Sequence, residues 1–235
     1  MQDSWLVKST LKGIERIKGC AVQRKTPITP EVLMKIKGKL RLHVTQDCIF
    51  WAACLVLFFG LLRKSNVFGQ VFDPEKQLTR DSFIADENGS LTVVVRWSKT
   101  IQRRERTHTI VLPSIAPHPL CPVTAVVKSF QCTTPAAPNS QAFPMASSKF
   151  DAKLKTLAGK DYSSHSFRRG GATHALSCGI PGEVIKVLGD WQSNCYLSYL
   201  DQLPCKMLIL KKLRMSYFAV GWESTCLDTC QFPES

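Results

Sequence analysis

The feature that most constrains the fold is an unbroken apolar run, Cys48–Leu62, which lies between Asp47 and Arg63. The run has 15 residues, whereas a helix that crosses a membrane needs about 20. It therefore predicts a helix in the core of a folded domain. Thr45 can cap the start of this helix, which we expect to extend to about Asn66.

The composition is that of a globular protein with a large basic excess. Apolar residues make up 44% of the 235 residues and charged residues 21%, close to globular averages, which excludes disorder of the whole chain. Lys and Arg number 31 against 18 Asp and Glu, a net charge of +13. So large an excess predicts a polyanionic partner, either nucleic acid or an anionic membrane surface.

The ten cysteines do not indicate a secreted disulfide scaffold. They are spaced singly and irregularly, and Met1–Thr10 lacks the apolar segment of a secretory signal. Reduced thiols in an intracellular protein are the better interpretation.

The middle of the chain changes from a helical to a strand pattern. Three short strands are predicted at Ser82–Ala85, Leu91–Trp97 and Thr107–Leu112, with a turn at Asn88-Gly89 between the first two. The second and third strands are joined by Ser98–Arg106, which is rich in Lys and Arg. The pattern predicts a small antiparallel sheet with a basic hairpin tip.

Cap residues and breakers predict helices on both sides of this sheet. They are expected in Met1–Lys25, from Pro30 to about Arg41, at Val123–Phe130, at Phe150–Leu157, from Ser163 or Ser164 to about Ser177, from Pro181 to Gly189, from Ser193 to about Gln202, and at Cys205–Ala219. The predicted fold class is therefore α+β, mostly helical with a three-stranded antiparallel sheet.

One segment combines groups that bind an anion. His165 and Arg168 are three residues apart in the first turn of a predicted helix, so both project from one face. Free backbone N–H groups and the helix dipole favour a phosphate at the same place. Gly170 and Gly171 lower helix propensity by about 1 kcal/mol each, which indicates close backbone packing.

The motifs occur in an order that resembles the catalytic domain of tyrosine recombinases, the phage-integrase family. Arg63 follows the apolar helix, Lys99 follows a strand, and then come His165-x-x-Arg168, Gly189-x-Trp191, Tyr196 and Tyr199. The likeness spans about Pro27–Leu203 and is greatest to recombinases of eukaryotic mobile elements. It implies a basic linker helix in residues 1–26, a catalytic domain in 27–220 and a tail in 221–235.

The resemblance implies site-specific cleavage and rejoining of DNA strands through a covalent 3′-phosphotyrosine. Arg63 and Arg168 would clamp the scissile phosphate and stabilise its transition state. Lys99 would protonate the departing 5′ oxygen, and His165 would orient the phosphate and assist proton transfer. Trp191, which stands where other members have His, would donate a hydrogen bond.

The resemblance implies that Tyr199 is the nucleophile, but Tyr196 stays open. Tyr199 is eight residues after Trp191, where many members have nine. Tyr196 and Tyr199 are three residues apart and would lie on the same face of a helix, so their position on the helix does not show which is the nucleophile. Asn66 also departs from the family, which often has an acidic residue there.

The resemblance further implies double-stranded DNA as the partner, no metal or other cofactor, and a homo-oligomer on DNA, in the family a tetrameric synapse. Additional DNA contacts are predicted at Lys64, Arg96, Arg103, Arg104, Arg106 and Arg169. The basic amphipathic segment Lys206–Arg214 could lie on a membrane, although docking on a neighbouring protomer is preferred. We expect no membrane partner and a DNA-associated location, in the nucleus if the source is eukaryotic.

Two alternatives to a recombinase remain open. One is a DNA-binding relic without chemistry, suggested by Asn66, by the spacing of the tyrosines and by the lack of the amino-terminal clamp domain that family members usually carry. The other is a type IB topoisomerase, which shares the chemistry and acts as a monomer.

Overall fold

The computed structural model describes residues 5–18, 25–98, 101 and 106–193. Within these ranges the fold is α+β, mostly helical with a three-stranded antiparallel sheet, as the sequence predicts. The elements are α1 (Trp5–Lys18), α2 (Pro30–Gly38), α3 (Thr45–Phe59), α4 (Lys64–Val67), a 3-10 turn (Arg80–Ser82), β1 (Phe83–Ala85), β2 (Leu91–Val95), β3 (His108–Leu112), α5 (Pro122–Cys132), α6 (Ser147–Ala158), α7 (Ser164–Ser177) and α8 (Gly182–Leu188).

The apolar run forms the central helix, α3. Every residue from Cys48 to Phe58 is buried, and α3 packs against α5 and α7. A helix that is apolar on all sides is stable in water only when its neighbours cover it, so the prediction of a core helix is confirmed. In the described part of the chain, no helix is both long enough and apolar enough to cross a membrane.

The prediction that α3 continues to Asn66 is wrong. The helix ends at Phe59, Gly60 is its C-cap, and Leu61 adopts a left-handed backbone with φ of 49°. A short separate helix, α4, then starts with Arg63 as its N-cap. Arg63 therefore does not lie in the last turn of the apolar helix.

The sheet presents one face to the core. Val93 of β2 pairs with Phe83 of β1 and with Ile110 of β3. Alternate residues of β2, namely Leu91, Val93 and Val95, are buried, because successive side chains of a strand point to opposite faces. The three predicted strands are thus confirmed to within two residues at their ends.

Helix α7 carries the anion-binding motif and lies very close to α3 and to the segment before α2. A Cβ atom on Gly170 would lie under 3.0 Å from the carbonyl oxygen of Ile28, and one on Gly171 equally close to that of Phe58. Only glycine permits these approaches. The close backbone packing that the two glycines predict is confirmed. The helices expected after Ser193 lie outside the described residues.

Candidate active site

Arg168 is at the centre of the site and is enclosed by the protein. Its side chain is only 2% exposed, and its two terminal nitrogens donate hydrogen bonds to the carbonyl oxygens of Leu61 and Gly189. The ring of Trp191 lies 4.0 Å from the guanidinium carbon, which is a cation–π contact. Arg168 therefore joins the junction between α3 and α4 to the turn that follows α8.

An apolar cluster supports the same junction. Leu61, Ala172, Ile185 and Trp191 are buried together, so α7 and α8 share a small core next to Arg168. Gly189 allows the indole to lie against the chain, because a Cβ on this residue would overlap the ring of Trp191. The position of Trp191 is thus set by packing as well as by its contact with Arg168.

Arg63 is held by a buried amide. The backbone N–H of Arg63 donates to Oδ1 of Asn66 at 3.1 Å, and Nδ2 of Asn66 donates to the carbonyl of Trp97 at 2.9 Å. Asn66 therefore fixes the backbone of Arg63 and ties α4 to the end of β2. These two bonds show what the side-chain amide of Asn66 does at a position where tyrosine recombinases often have an acidic residue.

His165 lies in the first turn of α7 and is exposed. Partial desolvation and the positive charges of Arg168, Arg169 and Arg63 lower the pKa of His165. The charge of Arg63 thus acts at the same imidazole as that of Arg168, although the two arginines come from distant parts of the chain. A lowered pKa leaves the ring neutral at pH 7, when it can accept a proton or donate a hydrogen bond.

Lys99 lies outside the described residues, but its neighbours are anchored at this site. The N–H of Ile101 donates to the carbonyl of Ser98 at 3.0 Å. The hydroxyl of Ser98 donates to Oδ2 of Asp190 at 3.1 Å, and Asp190 directly precedes Trp191. The role of Lys99 stays a prediction.

Four other predicted site residues also lie outside the described part: Arg103, Arg104, Tyr196 and Tyr199. The choice between the two tyrosines as nucleophile is therefore unchanged from the sequence.

Three predicted DNA contacts already pair with carboxylates of the protein. The amino group of Lys64 lies 2.6 Å from Asp151, and Arg106 forms an ion pair with Asp190. Arg96 donates to the hydroxyls of Thr79 and Ser82 at 3.3 and 3.2 Å, with Asp81 at 3.5 Å. Since each of these cations is partly exposed, a DNA phosphate can still reach it, in competition with its carboxylate.

Arg169 requires a correction. The sequence predicts a DNA contact, but the side chain is 3% exposed and donates to the carbonyl of Lys25. In this structure the guanidinium of Arg169 is bonded to the backbone before α2 and is not presented to a duplex. Its observed contact holds the segment before α2 against α7.

Two residues near Arg168 are missed by sequence reasoning, Asp190 and His108. Asp190 is buried and bonds Ser98 and Arg106; its only signal is an acid within an otherwise basic set of motifs. A ring nitrogen of His108 lies 3.0 Å from the carbonyl of Leu188. Desolvation lowers the pKa of His108, against the opposing effects of this bond and of the charge on Asp190. No sequence signal identifies His108.

Comparison with known proteins adds information on the fold. No protein-family model matches the chain, and no curated protein matches it either.

Solved structures of site-specific recombinases are similar to it. The XerH recombinase bound to its palindromic difH substrate, a post-cleavage complex, has 12% identity and a TM-score of 0.57, over 81% of this chain and 54% of that one. An FLP recombinase–Holliday junction complex has 14% identity and a TM-score of 0.51, over 95% and 52%. The corresponding Flpe complex has 19% identity and a TM-score of 0.50, over 79% and 48%.

The chain thus spans about half the length of these recombinases. At such low identity the likeness concerns the fold, and that fold is the one implied by the order of the motifs. The chain has the fold of the tyrosine recombinase catalytic domain.

Proposed function

We propose that this protein cleaves and rejoins DNA strands at specific sites through a covalent 3′-phosphotyrosine. The observation that carries the proposal is the convergence around Arg168 of groups that are far apart in the sequence. Arg168 bonds the carbonyl of Leu61, two residues before Arg63, and lies against Trp191. His165 experiences the charges of both arginines. The side chains of Arg63, Arg168 and His165 suit binding of a phosphodiester. Trp191 packs on the guanidinium of Arg168.

The proposed reaction is a transesterification. The phenol of Tyr199 passes its proton to the neutral imidazole of His165, and its oxygen attacks phosphorus. The bond from phosphorus to the 5′ oxygen breaks, and Lys99 gives a proton to that oxygen. Rejoining is the reverse step, with a 5′-hydroxyl as nucleophile and the phenol as leaving group. Because one phosphodiester replaces another, the bond energy is conserved and the step needs no ATP.

Arg63 and Arg168 would stabilise the negative charge that grows on the non-bridging oxygens in the transition state. A guanidinium is permanently charged and offers a planar pair of donors for two oxygens. Charges held in place before the reaction act strongly, because they need not reorganise when the transition state forms. In the described structure Arg168 is 2% exposed and its terminal nitrogens bond the carbonyls of Leu61 and Gly189. The proposal therefore requires the guanidinium to exchange these carbonyls for phosphate oxygens when DNA binds.

Double-stranded DNA is the proposed partner. The net charge of +13 favours a polyanion, and the similar XerH and FLP structures are complexes with DNA substrates and Holliday junctions. We propose that the chain acts on DNA as a homo-oligomer. Lys64, Arg96 and Arg106 are the described candidates for phosphate contacts outside the reacting centre.

The test is a duplex with a nick next to the cleavage site, from which the cleaved strand end diffuses away. Incubation with the protein should trap a covalent DNA adduct that survives denaturing electrophoresis. The adduct should be lost in Tyr199→Phe and persist in Tyr196→Phe, which is the matched control. The reverse pattern would assign the nucleophile to Tyr196.

A second function is favoured by the burial of Arg168, which gives both terminal nitrogens to main-chain carbonyls and is 2% exposed. An arginine used only to hold the fold together would suit a DNA-binding protein without chemistry. That protein would bind duplex in a salt-dependent way and form no adduct with any substrate. Relaxation of supercoiled DNA by a monomer would instead identify a type IB topoisomerase.

A further inference from the structure

We propose that Asp190 is a positioning residue, which fixes the hairpin between β2 and β3 against the turn that holds Arg168 and Trp191. The inference rests on the proposed function, because it assigns Asp190 a role in the same reaction. It concerns a carboxylate that lies beside a site built for a phosphate, where a negative charge would by itself oppose binding of the substrate.

The contacts of Asp190 reach both ends of the basic loop. One carboxylate oxygen accepts from the hydroxyl of Ser98 at 3.1 Å, and the other pairs with Arg106. Ser98 follows β2 and Arg106 precedes β3, so the side chain of Asp190 bonds the chain on both sides of the loop. His108, the first residue of β3, adds a third link through the carbonyl of Leu188.

The side chain of Asp190 is buried in this link. It is 6% exposed, whereas Arg106 is 40% exposed, so the carboxylate is the buried member of the pair. A buried carboxylate is stable only when charged or polar partners compensate its lost hydration. Two of its partners, Ser98 and Arg106, lie on the hairpin, so the hairpin helps to stabilise the carboxylate in the turn.

The backbone of this turn is also constrained. Asp190 has φ of 52°, in the left-handed region that asparagine and aspartate tolerate better than most residues. On either side of it, Gly189 accepts a hydrogen bond from Arg168 and Trp191 packs on the same guanidinium. Asp190 thus lies between the two groups that enclose Arg168 and bonds outward to the hairpin.

The predicted general acid, Lys99, is the residue directly after Ser98. Loosening of the hairpin when the charged link from Asp190 to Arg106 is lost should therefore displace Lys99 and reduce protonation of the departing 5′ oxygen, while binding of DNA and attack by the tyrosine remain. This effect can be separated from general damage, because a sulfur leaving group needs no proton: a thiol is far more acidic than an alcohol.

The experiment compares wild type with Asp190→Asn on two suicide duplexes, one with an ordinary 5′ oxygen and one with a 5′ bridging sulfur. Asparagine keeps the size and the left-handed backbone but loses the charge that pairs with Arg106. We expect cleavage at the oxygen to slow about tenfold or more, and cleavage at the sulfur to stay within about twofold of wild type. Lys99→Ala should show the same pattern.

The matched control is Asp86→Asn. Asp86 accepts from the hydroxyl of Thr92 at 2.9 Å in the other hairpin, so the same chemical change is made away from the site. It should leave both rates at the wild-type level. Equal slowing of Asp190→Asn on the two substrates, or no slowing on either, would overturn the inference.

A second measurement needs no activity. Hydrogen exchange of the peptides that contain Ile101 and β3 should be faster in Asp190→Asn than in wild type, and unchanged in Asp86→Asn. Unchanged exchange in Asp190→Asn would overturn the inference even if cleavage is slowed. If wild type forms no adduct on either duplex, the proposed function fails, whereas the exchange result still decides whether Asp190 fixes the hairpin.

Discussion

At the scale of single residues, Arg168 shows how a permanent charge is kept inside this protein. A buried charge is tolerated only with partners that replace water. Here the partners include two main-chain carbonyls and an indole face. Both carbonyls lie where a helix has just ended, at Leu61 after α3 and at Gly189 after α8. Helix ends leave carbonyls without partners inside the helix, so the guanidinium satisfies acceptors that would otherwise need water.

The first prediction concerns pH. The pKa values of His165, His108 and His174 are all lowered, chiefly by desolvation. The unfolded chain therefore binds protons more readily than the folded protein below about pH 6.5. Stability is full above that pH and is lost as the pH falls through the folded-state values. Urea denaturation should show the free energy of unfolding decreasing from about pH 7 to about pH 5.5.

The variant His165→Asn removes one of these groups and should make this decrease less steep. If the free energy of unfolding changes with pH as steeply as in wild type, the pKa of His165 is not lowered by folding. The comparison is restricted to pH values above about 5, because carboxylates begin to titrate below that range.

The second prediction concerns Gly170. A Cβ here would meet the carbonyl oxygen of Ile28, which is backbone and cannot rotate away. Gly170→Ala should therefore lower the free energy of unfolding by about 1–3 kcal/mol, despite the better helix propensity of alanine. Gly38→Ala is the matched control, since nothing lies within 4 Å of its Cβ position, and it should be neutral or slightly stabilising. Chemical denaturation of both variants measures the difference, and a Gly170→Ala protein as stable as wild type would contradict the packing.

The residues differ in how far the sequence could predict their roles. Gly170 and Gly171 carry a local signal, because glycine is unfavourable inside a helix unless another segment packs closely against it. The segments that do so contain Ile28 and Phe58. Nothing local in the sequence indicates the burial of Arg169 or the contacts of Asp190. Their partners, the carbonyl of Lys25 and the side chains of Ser98 and Arg106, are more than 80 residues away along the chain. The sequence therefore cannot distinguish a buried arginine from one that contacts DNA.

At the scale of elements, the break between α3 and α4 shapes the site. Apolar residues continue through Leu61 and Leu62, so the hydrophobic pattern alone predicts a longer helix. In the sequence, Gly60 is the one local indication that the helix ends. The chain instead turns at Leu61 with positive φ, which directs a carbonyl to Arg168 and places Arg63 at the start of α4. The short α4 is in turn held by Asn66, a contact that depends on where β2 ends.

The third prediction tests that contact. In Asn66→Asp, a carboxylate oxygen would face the carbonyl of Trp97, which now accepts from the amide at 2.9 Å. Two acceptors in a buried place leave one without a donor. At about pH 7 the free energy of unfolding should fall by about 1–3 kcal/mol. Relative to wild type the deficit should shrink as the pH falls, because a protonated carboxyl can donate again.

Asn88→Asp is the control for this change. Asn88 is exposed and only accepts, from the N–H of Ser90 at 3.0 Å, which aspartate does equally well. Urea denaturation should find it close to wild type across the same pH range. If Asn66→Asp were also as stable as wild type at pH 7, Asn66 would not be the donor to Trp97.

At the scale of the whole molecule, the net charge of +13 overstates how many cations are available to DNA. Lys64, Arg96 and Arg106 already have carboxylate partners, and Arg168 and Arg169 are enclosed. The fold class followed from local patterns, whereas this division of the cations into paired and buried groups follows only from the three-dimensional arrangement. In the proposed complex, a DNA phosphate at any of these positions would exchange one ion pair for another, and the salt dependence of binding would report which of them take part.

The fourth prediction uses two lysines that are similar in all but position. Lys64 pairs with Asp151 near Arg63, whereas Lys153 pairs with Asp47 and lies over the ring of Phe50. Their side chains are 29% and 25% exposed, so Lys64→Gln and Lys153→Gln remove the same charge from comparable surroundings.

Each phosphate contact contributes about 0.9 to the slope of log affinity against log salt. Fluorescence anisotropy with a labelled duplex between about 50 and about 200 mM salt should give a slope smaller by about 1 in Lys64→Gln and unchanged in Lys153→Gln. Equal slopes in the two variants would mean that Lys64 supplies only general charge, and that the surface beside Arg63 does not face the DNA.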